Sequence, residues 1–346
     1  MKRGAIITLY GLYNYGNRLQ NYALYETLNK CGICPISFIS VNSITQIKIT
    51  ILRVLKKRIG LIHRTDLFRS FNKKYIKSKN IFRRLDRIQQ KYDFFICGSD
   101  QIWHPKFGGT PYYFAYFAKP YKRIAYSASF GVSELPCDVK DRYAKYLSEM
   151  KAISVREETG AKIIKDLTGK DVPVLVDPTM LLEQAEWRKI TRKPTFYKNK
   201  KYILTYFLGN VDMGIREYID SIEKKYGLEI INLEERSPNM YWYKTGPAQF
   251  LWLVDHCELM CTDSFHGSVF SILMDVPFIV FDRKDKQASM SSRIDTLLHK
   301  FQLENRKFDS VKNENIFEKN YDHISQILEY EREKSVDFLK KAMELD

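Results

Sequence analysis

The chain has 346 residues, too many for one small core, so two domains of about 150–180 residues are expected. Hydrophobic residues make up 45% and charged residues 28%, a globular balance that excludes a disordered chain. No apolar run reaches the roughly 18–20 residues of a membrane span, and the apolar stretch at 5–10 is too short for a secretory signal, so a cytoplasmic location is expected. The formal net charge of +15 is concentrated. Residues 48 to 87 hold fourteen Lys and Arg against only Asp66 and Asp86. Such a segment fits an anionic partner, either a membrane surface or nucleic acid.

Short apolar runs alternate with amphipathic stretches, the pattern of parallel sheets covered by helices. In chain order, strands are expected at 5–9, 35–41, 94–97, 123–127, 152–155 and 172–176, with a helix over 18–30 after the first. Residues 186–200 are polar, contain Pro194, and read as a linker. A second series follows: a strand at 202–208, a helix over 212–226 stopped by Gly227, and a strand at 228–233. Next come a short helix at 247–255 opened by Pro247, a strand at 258–262, a helix from 264 and a strand at 278–281. The fold class is therefore α/β, two Rossmann-like lobes with mainly parallel sheets and ligands at the carboxyl ends of the strands. The expected domains are 1–185, carrying a basic helical segment at 44–90, then 201–320, with 321–346 as a C-terminal helix packing back on the first lobe.

Cys31 and Cys34 form a C-x-x-C, and Cys257 and Cys261 lie four apart. Zinc wants four thiolate or imidazole ligands, whereas these cysteines border expected strands, so reduced structural thiols and no metal site are expected.

Four turns bring chemistry to strand ends. Gly11 to Arg18 joins the first strand to the first helix. Its glycines would let a ligand approach, or it is a tight turn with Asn17 as helix cap. The run 92–103 ends a strand in Gly98 and presents Ser99, Asp100 and Gln101, for capping or for ligand contact. His104 reads as an ordinary loop histidine. Arg156 follows another strand, where its planar donors suit carboxylate or phosphate, a surface salt bridge being the alternative. In Cys261 to Ser268, Asp263 or Ser264 caps a helix and His266 sits in its first turn. The helix dipole disfavours imidazolium there, so His266 would exchange a proton near neutral pH.

A fifth segment, 47–62, is amphipathic: Ile51, Leu55, Ile59 and Ile62 share a face opposite Arg53, Lys56 and Lys57. It would lie on anionic lipid at the inner face of the membrane, or pack on its own lobe. The sequence has no recognisable RNA-binding module, so nucleic acid is not an expected partner.

Taken together, the stretches at 14–21, 98–103 and 154–157, Asp177-Pro178 and 264–267 resemble the polysaccharide pyruvyl transferase family, in that family's order. The resemblance implies a GT-B-like fold and transfer of the enolpyruvyl unit of phosphoenolpyruvate onto a sugar of a polysaccharide or lipid-linked precursor. The products would be a pyruvate ketal and phosphate. It places a catalytic histidine at His266 and a substrate arginine at Arg156. Asn14, Gly16, Asn17, Arg18, Ser99, Asp100, Ser264 and Phe265 become substrate-binding candidates, with Arg283 and Lys284 as further positive charge. No cofactor is implied beyond the phosphoenolpyruvate donor. The alternative is a GT-B-type nucleotide-sugar glycosyltransferase, because the architecture would be shared.

Overall fold

The computed structural model describes residues 1–10, 13–39, 63–81, 85–106, 109–234, 239–283, 291–311, 316–319 and 321–345. The amphipathic segment 47–62 and Lys284 lie outside them. The chain divides into two compact units. The first gathers the described residues within Met1–Val54, Asn72–Leu182 and Gln326–Asp346, the second those within Leu55–Phe71 and Glu183–Ser325.

The first unit is built on a parallel sheet of β1 (Arg3–Ile7), β2 (Cys34–Ile39), β3 (Ser78–Asn80), β4 (Phe94–Cys97), β5 (Arg123–Ala128) and β6 (Ala152–Val155), in the order β3-β2-β1-β4-β5-β6. β4 and β5 are buried at every position, which is why they read as continuous apolar runs rather than alternating ones. Val172–Val176 was expected as a full strand. Instead it makes a single bridge, from Val174 to Val155, and Pro173 within it has no N–H to donate. Helix α1 (Tyr15–Lys30) starts earlier than the expected residue 18. Thirteen of its sixteen residues are buried, so no polar stripe marks where it begins.

The order of this sheet reverses between β1 and β4, the position at which an open α/β sheet offers a crevice at its strand ends. The loops at that switch point carry Asn14 to Arg18 and Ser99 to Asp100.

The second unit holds β7 (Tyr202–Tyr206), β8 (Glu229–Asn232), β9 (Leu259–Thr262) and β10 (Phe278–Val280), all parallel, in the order β10-β9-β7-β8. Its own switch point therefore lies between β7 and β9. The expected linker 186–200 is helical at its start. There α5 (Gln184–Ile190, numbered after α2 at His63–Tyr75, α3 at Cys137–Ser148 and α4 at Glu158–Thr168) is closed by a capping box between Glu183 and Glu186. Trp187 of this helix meets Phe270 edge to face, with centroids 5.0 Å apart.

Two domain assignments change or sharpen. The basic segment 44–90 was expected to belong wholly to the first lobe, but α2 as far as Phe71 groups with the second unit. Arg64 explains this. Its buried guanidinium lies 3.8 Å from the Trp242 ring centroid and donates to the carbonyls of Trp242 and Thr245, at 2.7 and 3.0 Å. The C-terminal helix, Ile324–Met343, groups with the first unit from residue 326. There Arg332 donates to the carbonyls of Met180 and Leu182 at 2.7 and 3.0 Å.

Candidate active site

Unit by unit, the polar residues picked out by sequence gather at the carboxyl ends of the central strands. In the first unit Asn14, not Asn17, caps α1. Its backbone is extended, and its Oδ1 accepts from Asn17 N at 2.9 Å. Asn17 and Arg18 are buried in the first turn, beside Gly16. The Arg18 guanidinium sits 4.1 Å from the Tyr10 ring centroid, and burial pulls its pKa below the ordinary value while Tyr10 opposes that shift.

Gln20 joins the two loops of this switch point. Its Nε2 donates to Thr8 Oγ1 at 2.6 Å, and its Oε1 accepts from Ser99 N at 3.0 Å. Sequence reasoning gave Gln20 no role, although a fully buried amide within a buried helix must find partners.

Arg156 departs from expectation. It is not a surface salt bridge. Its side chain is 1% exposed, with Nη1 2.7 Å from Asp177 Oδ2 and Nη2 3.2 Å from Asp100 Oδ1. Burial opposes its charge, but the carboxylates of Asp177, Asp100 and Glu157 outweigh that and raise its pKa. The protein's own carboxylates meet both Nη groups, because a guanidinium this deep has to be neutralised.

The surroundings of Arg156 are built for that ion cluster. Ser127 adopts a left-handed backbone at φ 46, and the ladder to β6 shifts register between Ala125 and Ala128. Ser127 N donates to Ser154 Oγ at 2.9 Å, and Arg156 N to Ala128 O at 3.2 Å, which sets where the arginine leaves the sheet. Asp177 Oδ1 accepts from Thr179 N and Oγ1, at 3.0 and 2.7 Å, while Ser99 Oγ reaches Asp177 Oδ2 at 3.0 Å. Glu157 Oε1 takes Ser129 Oγ and the N–H groups of Phe130 and Gly131, at 3.0, 2.8 and 3.1 Å. His104, expected as a loop histidine, is 4% exposed, and its Nδ1 accepts from Lys106 N at 3.1 Å.

In the second unit β9 ends at Thr262, and α8 (Phe265–Leu273) follows α6 (Met213–Tyr226) and α7 (Pro247–Asp255) in chain order. Ser264 is the N-cap, its side chain accepting from Gly267 N at 3.4 Å. His266 is buried in the first turn, with its ring edge to face with Phe265 at 5.2 Å. Thr262 Oγ1 accepts from Ser264 N at 3.0 Å and donates to Tyr206 O at 2.6 Å, tying the start of α8 to β7.

Asp263 was expected as a possible cap and has different work. Its carboxylate takes the N–H groups of Leu208 and Gly209 at 2.7 and 2.8 Å, and Arg283 Nε at 2.9 Å. The strand ends of β7, β9 and the segment after β10 thus meet on one side chain. All six cysteines are free thiols, and burial pushes the pKa values of Cys97, Cys257 and Cys261 upward.

Two Rossmann-like units in tandem, each with polar groups at its switch point, define a GT-B-like α/β protein. The family model for polysaccharide pyruvyl transferase matches residues 14–285, and the chain belongs to that family. No curated protein matches the chain in sequence. Among solved structures, the UDP-GlcNAc 2-epimerase of Neisseria meningitidis bound to UDP-GlcNAc superposes with a TM-score of 0.55 at 12% identity, covering 100% of both chains. A glycosyltransferase of Rickettsia africae gives 0.50 at 11%, over 98% of this chain and 99% of that one. At these identities the likeness is one of fold.

Proposed function

We propose that the chain transfers the enolpyruvyl unit of phosphoenolpyruvate onto a sugar of a polysaccharide or its lipid-linked precursor, forming a cyclic ketal and releasing phosphate. The observation that carries this reading is the imidazole of His266 in the first turn of α8, in a chain whose family match spans 14–285. The donor is a small, multiply charged anion, suited to the positive end of a helix dipole and to the Arg283 guanidinium bonded to Asp263, just before the cap.

His266 is the general acid. It protonates the methylene carbon of phosphoenolpyruvate, which makes C2 electrophilic, and a sugar hydroxyl adds to C2. The C2–O bond to phosphate then breaks, and a second sugar hydroxyl attacks C2 to close the ketal. Of the two hydroxyl protons released, one replaces the proton now on the methyl group and the other leaves with phosphate. In this reading Arg156 acts through Asp100 and Asp177, holding the loop after β4 in place, while Asn17, Arg18 and Asp100 serve substrate at the first unit's switch point.

The test is phosphate release from phosphoenolpyruvate across a panel of simple and lipid-linked sugars, beside binding of UDP- and GDP-sugars. Acceptor-dependent release, abolished in His266→Ala with the circular dichroism spectrum retained, is the expected result. Tight nucleotide-sugar binding with no use of phosphoenolpyruvate would replace this reading with glycosyl transfer.

A further inference from the structure

Asp263 has no capping duty, because Ser264 performs it, yet its side chain is only 4% exposed. A buried carboxylate is retained at a cost unless its oxygens are satisfied. Here Oδ1 takes Leu208 N, while Oδ2 takes Gly209 N and Arg283 Nε. Two successive backbone N–H groups turned on one anion form a concavity of the kind that elsewhere binds phosphate. In this chain the occupant is Asp263 itself, so the turn after β7 is held by the protein rather than by a ligand.

The same carboxylate fixes an arginine. The stem of Arg283 passes over Gly209, where a Cβ would stand 3.1 Å from both Arg283 Cγ and Asp263 Oδ2. Binding at Nε holds the guanidinium by one edge, and a weaker contact from Nη2 to Asp263 O, at 3.4 Å, sets its plane. A guanidinium whose plane is already set loses less rotamer freedom when an anion arrives.

We propose that Asp263 is a positioning residue for the donor: it touches no reacting atom, and orders Arg283 and the turn at 208–209 against the start of the His266 helix. This rests on the proposed use of phosphoenolpyruvate, with Arg283 as a donor contact. It predicts coupling between Asp263 and Arg283 that a purely structural carboxylate would not show.

The experiment is a double-mutant cycle with Asp263→Asn and Arg283→Ala, read as KM for phosphoenolpyruvate, kcat, and affinity for inorganic phosphate by calorimetry. Each single variant is expected to raise KM about ten-fold with a smaller change in kcat, and to weaken phosphate binding in parallel. The double variant should be no worse than Arg283→Ala alone, because the carboxylate acts through the guanidinium. Should Asp263→Asn not fold, Gly209→Ala replaces it, since its methyl group displaces Arg283 directly. Wild-type KM and phosphate affinity in these variants, effects that add, or a wild type that binds no phosphate would each overturn the proposal. A wild type that ignores phosphoenolpyruvate while binding inorganic phosphate with the same coupling would remove the donor assignment and leave the positioning role intact.

Discussion

The backbone of Gly267 lies so close to Thr262 that a Cβ at 267 would stand 2.5 Å from Thr262 Oγ1 and 3.0 Å from its Cβ and Cγ2. The first turn of α8 can approach the end of β9 only with glycine at this position. Gly267→Ala should therefore push α8 away from the strand and carry His266 with it. Overpacking of this kind costs about 1–3 kcal/mol, so a urea melt should show a lower midpoint with little change in slope. Turnover should fall further than stability alone explains. Adding Thr262→Ala should recover part of both, and a Gly267→Ala protein with wild-type midpoint and rate would contradict the packing described here.

Arg156 separates a structural from a substrate-clamping role. Replacing it with Ala strands Asp177, Asp100 and Glu157 without their buried cation, and breaking such a pair costs about 3–5 kcal/mol. Chemical denaturation of Arg156→Ala should show a loss of this size, and Arg156→Lys a smaller one because it keeps the charge without the fork. A variant of unchanged stability whose only defect is a raised KM would return Arg156 to direct substrate contact.

For Gln20 the expected defect is local. Gln20→Ala leaves Ser99 N and Thr8 Oγ1 without their amide partner inside a buried loop junction. An unsatisfied buried group costs about 1–3 kcal/mol, to be read from the same denaturation curves. Hydrogen exchange at Ser99 should accelerate selectively, and protection there equal to wild type would show that Gln20 is not what holds that loop.

The expected membrane contact rests on the basic and apolar faces of segment 47–62. Arg53, Lys56 and Lys57 lie outside the described residues, and among the described residues no helix is long and apolar enough to cross a membrane. Replacing the three with Gln should weaken sedimentation with anionic vesicles and flatten its dependence on salt, by about 1 kcal/mol per charge near the surface. Vesicle binding that is indifferent to these changes and to ionic strength would dismiss a lipid role for the segment.

Much of the architecture could be read without coordinates because buried parallel strands announce themselves as apolar runs, as 94–97 and 202–206 do. Turns after such strands also concentrate polar residues, which is how 14–18, 98–101 and 262–266 stood out. Other features gave weaker signals. The helix at Gln184–Ile190 hid in a polar stretch because its cap is a glutamate rather than the usual serine or threonine. The true cap of α1, Asn14, could not be told from Asn17 three residues on, since both carry the same acceptor.

The amino-acid order by itself determined the alternation of strands and helices, the strand ends at which chemistry gathers, and the place of His266 in a helix's first turn. Only tertiary structure decided what each polar side chain faces. Arg156 and Arg283 look alike in sequence, both following a strand, yet one is sunk at 1% exposure among three carboxylates while the other, 15% exposed, is held along its Nε edge by Asp263. The difference is physical. A strand end fixes where a side chain departs, but burial and the charges brought in by distant segments, such as Asp177 and Asp263, fix what it can still bind.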